Sequence, residues 1–368
     1  MTAEPIRAVV CGHDVGGINL LAPLLDAWRE RAQIAAAFVG TAATQREMDA
    51  RLRDATHERL VVDVELLADP PMLDAMLDAL LARLRCEAVL TATSRACPLE
   101  RRLILAATRH AIPTVAFCDM WWAMDARFRE PDVLARPDEL WLVDDVPPYA
   151  EPAPWTAAPA LRVIGHPLYA QRIARGWGEA ADVHRSARRV LRFLSEPATT
   201  HFPQARVDEF AVAERALAAL RAHDRATPFV VRTHPAEAIE PWRRWCWVRR
   251  DDGVALDVEP LDSCFTSTAR AIGIASSLLV EMRLASIPTA VLRTPAADPA
   301  YYALPFAAMD VALIDGQPAL EEWLTRDAPL AVPPAAQRHR DAIVSATESL
   351  LAHVRGADAS AESQRMRI

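Results

Sequence analysis

The run Ile272-Gly273-Ile274-Ala275-Ser276-Ser277-Leu278-Leu279-Val280-Glu281 passes from an apolar strand pattern into a helical one. Residues 271–275 suit a buried parallel strand. Ser276 or Ser277 suits the N-cap of the helix that follows, because a serine oxygen accepts a bond from an orphan amide there. A helix start reached from a strand end favours an anion, since unpaired N–H groups and the helix dipole both point at it. Glu281 lies four residues after Ser277 and so on the same helix face. Serines for a diphosphate and a carboxylate for a ribose diol would together make a nucleotide-sugar cradle. The plainer alternative is a strand–helix turn with a capping serine.

Working outward, residues 228–232 read as a strand that ends in Thr233-His234-Pro235. Arg232 and His234 share a face if the strand continues, because side chains two apart do so. At the other end of the chain, Ile6–Cys11 is a central-strand pattern followed by Gly12-His13-Asp14-Val15-Gly16-Gly17 and the opening of a helix. The glycines Gly16 and Gly17 let backbone approach a ligand closely. Their spacing is not G-x-G-x-x-G, so the dinucleotide fingerprint is absent. His13 and Asp14 stand where open α/β sheets bind ligands, and an imidazole there is a candidate general base. The alternative is a polar residue bonding its own turn. A third cluster follows the strand at 113–118: Asp119, Trp121, Trp122, Asp125, Arg127 and Phe128. Paired tryptophans in a loop suit stacking on sugars or bases; the alternative is an amphipathic lid.

Further strands are expected at 34–39, 88–92, 139–144, 161–164, 190–194, 288–293 and 309–314, with helices at 46–59, 71–84, 98–110, 205–224 and 335–353. The segment 61–67 reads as a strand or as the entry to a helix. Alternating strands and helices predict parallel sheets with right-handed connections. Prolines 147, 148, 152, 154 and 159 mark a junction. The expected division is an N-terminal α/β domain over 1–170, a second over 171–355 and a disordered polar tail over 356–368.

The chain has 368 residues, comfortable for two domains, with 52% hydrophobic and 24% charged residues. A net charge of -8 argues against an electrostatic grip on nucleic acid or an anionic membrane. Every basic side chain is arginine, which removes a P-loop lysine and Schiff-base chemistry. Permanent positive charge at a phosphate would have to be guanidinium. The six cysteines form no C-x-x-C pair and read as buried thiols in a reducing, cytoplasmic setting, with no zinc site. The first apolar run, flanked by Glu4, Pro5 and Arg7, fits neither a signal peptide nor a membrane span.

Two Rossmann-like halves with a proline-marked junction resemble the GT-B superfamily, which includes metal-independent glycosyltransferases and the non-hydrolysing UDP-GlcNAc 2-epimerases. The resemblance implies an α/β fold of two Rossmann-like domains whose parallel sheets face a central cleft. Ser276-Ser277, the following helix with Glu281, and Pro288 are similar to the GT-B donor-binding segment, where a loop and helix start hold the diphosphate and a glutamate binds ribose. Arg232-Thr233-His234-Pro235 is similar to the histidine-proline motif of bacterial sialyl- and polysialyltransferases and of capsule or teichoic-acid polymerases, whose histidine contacts donor phosphate ahead of a serine pair. Their paired-acid-glycine motif precedes the histidine, whereas Asp251-Asp252-Gly253 follows His234 here. The epimerases' Gly-Asp-Thr is replaced by Thr91-Ala92-Thr93-Ser94, and their Pro-Glu-Glu is missing.

The resemblance implies a glycosyltransferase moving a sugar from a nucleotide-sugar to a glycan or lipid-linked acceptor, as in surface polysaccharide or glycoconjugate synthesis. The nucleotide-sugar is a substrate, and no cofactor or metal is expected; there is no Asp-x-Asp clamp. Ser276 and Ser277 would bind diphosphate and Glu281 ribose. His234 with Arg232 would stabilise leaving-group charge, His13 or Asp14 would activate the acceptor hydroxyl, and Asp119 and Trp121 would shape the acceptor side. Two alternatives stand: a nucleotide-sugar 2-epimerase or hydrolase, and a nucleotide-sugar-binding or assembly protein without turnover. No basic amphipathic segment argues for membrane docking, but GT-B enzymes with lipid acceptors dock through small apolar patches, so weak membrane association is kept among the expected partners.

Overall fold

A computed structural model of the chain describes residues 4–52, 58–119, 124–131, 133–144, 155–175, 190–297, 302, 306, 309–326 and 334–365. It divides into two compact units: unit 1 is Met1–Gln171 with Arg338–Ile368, and unit 2 is Arg172–Gln337.

Unit 1 runs β1 (Ile6–Cys11), α1 (Val15–Arg31), β2 (Ile34–Gly40), α2 (Ala42–Asp49), β3 (Glu58–Val61), α3 (Pro70–Leu84), β4 (Ala88–Thr91), α4 (Leu99–Arg109), β5 (Thr114–Cys118), α5 (Met124–Phe128), β6 (Glu139–Leu142) and β7 (Ala160–Val163). The strands form one parallel sheet in the order β3-β2-β1-β4-β5-β6-β7. Val9, Val10 and Cys11 are buried, as are all four residues of β4, which is why these segments read as unbroken apolar runs rather than alternating ones.

The helix α6 (Pro167–Ala174) leads into unit 2, which runs β8 (Val190–Leu194), α7 (Ala198–His201), α8 (Glu209–His223), β9 (Phe229–Arg232), α9 (Ile239–Val248), β10 (Val254–Leu256), α10 (Leu261–Ser267), β11 (Thr268–Gly273), α11 (Ser277–Leu284), β12 (Thr289–Arg293), β13 (Ala312–Asp315) and α12 (Gln317–Thr325). Its sheet is also parallel, in the order β10-β9-β8-β11-β12-β13. Phe193, Phe229, Trp242 and Trp245 pack on one side of it, with the Trp242 and Trp245 rings edge to face at 5.7 Å.

Both sheets are wound outward from a central first strand. The winding direction reverses between β1 and β4 in one and between β8 and β11 in the other. Open α/β sheets take ligands at the carboxyl ends of the strands beside that switch point.

The chain closes with α13 (Pro334–Arg340) and α14 (Ala342–Arg365). The sequence predicts 171–355 as the second domain, whereas the segment from Arg338 belongs to unit 1. Ala342, Ala346, Leu350 and Val354 are buried at helical spacing, and Trp28 Nε1 donates to Thr347 Oγ1 at 2.9 Å. Arg338 donates to Asp144 at 2.6 Å, and the His166 amide donates to His339 Nδ1 at 3.1 Å. The α14 helix continues past Gly356, where the sequence reading began a disordered tail. The helix expected at 46–59 instead spans Ala42–Asp49, because Thr41 caps it by accepting the Thr44 amide, and residues 58 and 59 belong to β3. Among the described residues, no helix is long and apolar enough to cross a membrane.

Candidate functional site

The quoted stretch folds as expected at its centre. β11 ends at Gly273, Ser276 is the N-cap, and its Oγ accepts the Leu278 amide at 3.4 Å. Ser277 is exposed as the first residue of α11, and no acidic side chain occupies that helix's first turn. The helix thus supplies no acid of its own to the positive end of its dipole at the switch point of the second sheet.

Three strand-end loops meet there. Ser276 hydrogen-bonds to Glu196, which follows β8. Burial first, and then the neighbouring Glu237, pushes the Glu196 carboxyl up to about 7. Glu237, beyond β9, accepts from Ser195 Oγ at 2.7 Å, from Trp242 Nε1 at 3.0 Å and from the His234 amide at 2.6 Å. His234 Nδ1 accepts the Ala236 amide at 3.1 Å, so in the neutral ring the proton sits on Nε2 and that nitrogen is a donor. Ser276 with Glu196, and Ser195 and His234 with Glu237, therefore form two bonded groups along the carboxyl edge of β11, β8 and β9, and the two glutamates feel each other's charge.

Two residues singled out in the sequence are committed elsewhere. Arg232 donates to Asp257 at 2.8 Å and to the Glu259 carbonyl at 3.1 Å. Asp257 also pairs with the buried Arg192, so the charge on Arg232 faces an acid. Glu281 is ion-paired with Arg172, each side chain being 13% exposed. Burial raises the Glu281 carboxyl and Arg172 opposes that rise.

In unit 1, the loop after β1 carries His13 and Asp14, and the loop after β5 carries Asp119. Asp119 accepts from Arg127 at 3.0 Å, and the same guanidinium nitrogen donates to the Thr93 carbonyl at 2.5 Å and to Thr93 Oγ1 at 2.9 Å. Burial raises the Asp119 carboxyl against the pull of Arg127. Glycine is required opposite this carboxylate: a Cβ on Gly16 would lie 2.1 Å from Asp119 Oδ2, and one on Gly17 would lie 2.4 Å from the Ala92 side chain. Behind the loop, Glu100 is 2% exposed and accepts the His13 and Ser94 amides, both at 3.0 Å. His13 Nδ1 is buried with no hydrogen-bond partner among the described residues. Trp121 lies outside the described residues. Among them, no group of three His, Cys, Asp or Glu side chains is arranged to hold a metal ion.

Burial, reinforced by Asp14, pushes the Glu100 carboxyl up from 4.5 to about 8. Between those values the folded protein keeps a proton that the unfolded chain releases, so stability falls as pH rises through that range. Thermal melts from pH 5 to 8.5 should show the wild type losing ground to Glu100→Gln, whose side chain does not titrate. Parallel curves would contradict the assignment.

Sequence reasoning gave no role to Glu100, Glu196, Glu237 or Arg172. The available signals were an acid in the first turn of α4 and acids in the loops directly after β8 and β9, but Glu100, Glu196 and Glu237 each also bond a group brought in from another strand's loop.

No protein-family model matches the sequence, and no curated protein matches it. Solved structures do match it. UDP-GlcNAc 2-epimerase from Neisseria meningitidis, bound to UDP-GlcNAc, has a TM-score of 0.64 at 14% identity, covering 94% of this chain and 100% of that one. UDP-GlcNAc 2-epimerase from Methanocaldococcus jannaschii has a TM-score of 0.63 at 11% identity, covering 94% and 100%. MurG from Acinetobacter baumannii has a TM-score of 0.55 at 13% identity, covering 94% and 99%. The fold is of the GT-B type. In GT-B terms, unit 1 is the amino-terminal Rossmann-like domain with the closing helix added, and unit 2 is the carboxy-terminal one. The histidine-proline segment occupies the loop after the second strand of unit 2.

Proposed function

We propose that the protein is a glycosyltransferase that moves a sugar from a nucleotide-sugar to a glycan or lipid-linked acceptor, in surface polysaccharide or glycoconjugate synthesis, without a metal ion. The observation that carries this reading is the start of α11 at the switch point of the second sheet, where Ser277 is exposed and the helix's first turn has no acid, on the same sheet edge as the loop that holds His234. In this reading the diphosphate rests on the first-turn amides of α11 and on Ser277. The acceptor oxygen forms its bond to the anomeric carbon as the carbon–oxygen bond to phosphate breaks, and the electron pair leaves with the nucleotide. The Nε2 proton of His234 and the helix dipole stabilise that charge. His13 or Asp14 receives the acceptor's proton, and Asp119 shapes the acceptor side. Buried thiols at all six cysteines support a cytoplasmic setting.

A 2-epimerase reading stands beside it, supported by the two epimerase structures that share this fold at TM-scores of 0.64 and 0.63. The test begins with thermal shifts in UDP, GDP, CDP, CMP and dTDP, with and without EDTA. A ligand at ~100 times its Kd should stabilise the fold by about 2.7 kcal/mol. The matching nucleotide-sugar is then incubated alone and with glycan acceptors. Release of nucleotide that requires acceptor and survives EDTA supports the transferase, whereas conversion of the sugar without acceptor supports the epimerase. No stabilisation by any nucleotide would remove both.

A further inference from the structure

The two candidate histidines, one in each unit, are held in the same way. In unit 1 the His13 amide donates to Glu100 Oε1 and the Ser94 amide to Glu100 Oε2, both at 3.0 Å. Ser94 follows β4, the strand paired with β1. In unit 2 the His234 amide donates to Glu237 Oε2 at 2.6 Å, and Ser195 Oγ donates to Glu237 Oε1 at 2.7 Å. Ser195 follows β8, the strand paired with β9. One glutamate carboxyl group thus ties the main chain of a histidine loop to the loop on the adjacent strand. It does so twice, in sequences that share no repeat.

We infer that Glu100 and Glu237 are positioning residues that fix the His13 and His234 loops for chemistry, each by accepting the histidine's own backbone amide and a group from the neighbouring strand's loop. The inference rests on the proposed function for what the histidines do, but not for how they are held. Neither glutamate needs to touch substrate. Each replaces solvent around a loop that would otherwise expose its amides, and a carboxyl group can bridge two donors at once: Glu237 with two carboxylate oxygens, and Glu100, which keeps a proton up to about pH 8, with its carbonyl oxygen and a lone pair of its hydroxyl. Trp242 Nε1, donating to Glu237 Oε1 at 3.0 Å, ties that carboxylate to the aromatic core and limits its rotation. Glu100 is held by its place in the first turn of α4, whose Leu99, Leu103 and Ala106 are fully buried.

The closing experiment uses the full chain as Glu100→Gln and Glu237→Gln. An amide side chain of the same shape keeps one acceptor and turns the other into a donor that opposes an N–H. Hydrogen exchange is read at the His13 and His234 amides, kcat and KM are read for the nucleotide-sugar identified in the screen, and Kd is read for its nucleotide. The expected result is faster exchange at the clamped histidine and kcat lower by about tenfold or more per folded molecule, with nucleotide Kd within about twofold of wild type. A purely structural role would instead lower Tm and leave kcat per folded molecule unchanged. That outcome, or unchanged exchange at both amides, overturns the inference. If the wild type turns over no nucleotide-sugar, the proposed function has failed, and the clamp is then decided by exchange alone: faster exchange at His13 and His234 supports it and unchanged exchange overturns it.

Discussion

Arg192→Met should lower the stability of unit 2 by about 3–5 kcal/mol, the usual cost of removing one partner from a buried ion pair. Arg192 lies in the middle of β8, and its side chain is 2% exposed while that of its partner Asp257 is 1% exposed. Its guanidinium also donates to Thr268 Oγ1 at 2.7 Å and to Ser267 Oγ at 2.8 Å. Methionine fills the volume but leaves a buried carboxylate with Arg232 as its remaining cation and the Glu259 amide, at 3.0 Å, as a neutral donor. For a unit of this size each kcal/mol moves Tm by about 2–4 °C, so a drop near ~10 °C is expected. Adding Asp257→Asn should recover part of it, because the uncompensated charge disappears. A single variant that melts with wild type, or a double variant that melts lower still, would refute this account of the network.

Ser277→Asp should move stability and nucleotide affinity in opposite directions. An acid in the first turn of α11, which has none, should stabilise the helix by about 0.3–1 kcal/mol through the dipole. The same charge would face a diphosphate on the same amides. Two unit charges ~4 Å apart near a surface repel by about 4 kcal/mol, so affinity should fall by about a hundredfold or more. Melting and calorimetric titration on one preparation separate the two effects. Affinity retained in a protein that melts at or above wild type would place the diphosphate elsewhere. Ser277→Ala serves as the comparison, since it removes a hydroxyl without adding charge.

Arg232 and Glu281 show how tertiary partners surround a motif's charged groups. Arg232 sits two residues before His234, where a cation for a leaving phosphate would be convenient, yet it is bound by Asp257 from beyond β10. Glu281 is one turn into α11, but Arg172 from α6 already neutralises it. His13, Asp14, Asp119 and His234 do stand at strand ends, as their positions after apolar runs implied. Glu100 holds His13, Arg127 holds Asp119 and Glu237 holds His234; of these three only Arg127 belonged to a cluster legible in the sequence.

Features encoded within a few residues were legible from the sequence itself. The strand-to-helix turn at Ser276, the glycine-rich loop after β1 and the alternation that makes both sheets parallel each depend on hydrogen bonds or periodicity spanning one element and its cap. Only the tertiary structure decided which strands lie side by side, and every long-range contact follows from that. His13 and Glu100 are separated by 87 residues, Ser195 and Glu237 by 42, and Arg192 and Asp257 by 65. Trp28 and Thr347, 319 residues apart, return the last helix to the first domain. An amphipathic helix states in its sequence that it has a face to bury. Which surface covers that face is settled by strand order and packing, and so by residues far away along the chain.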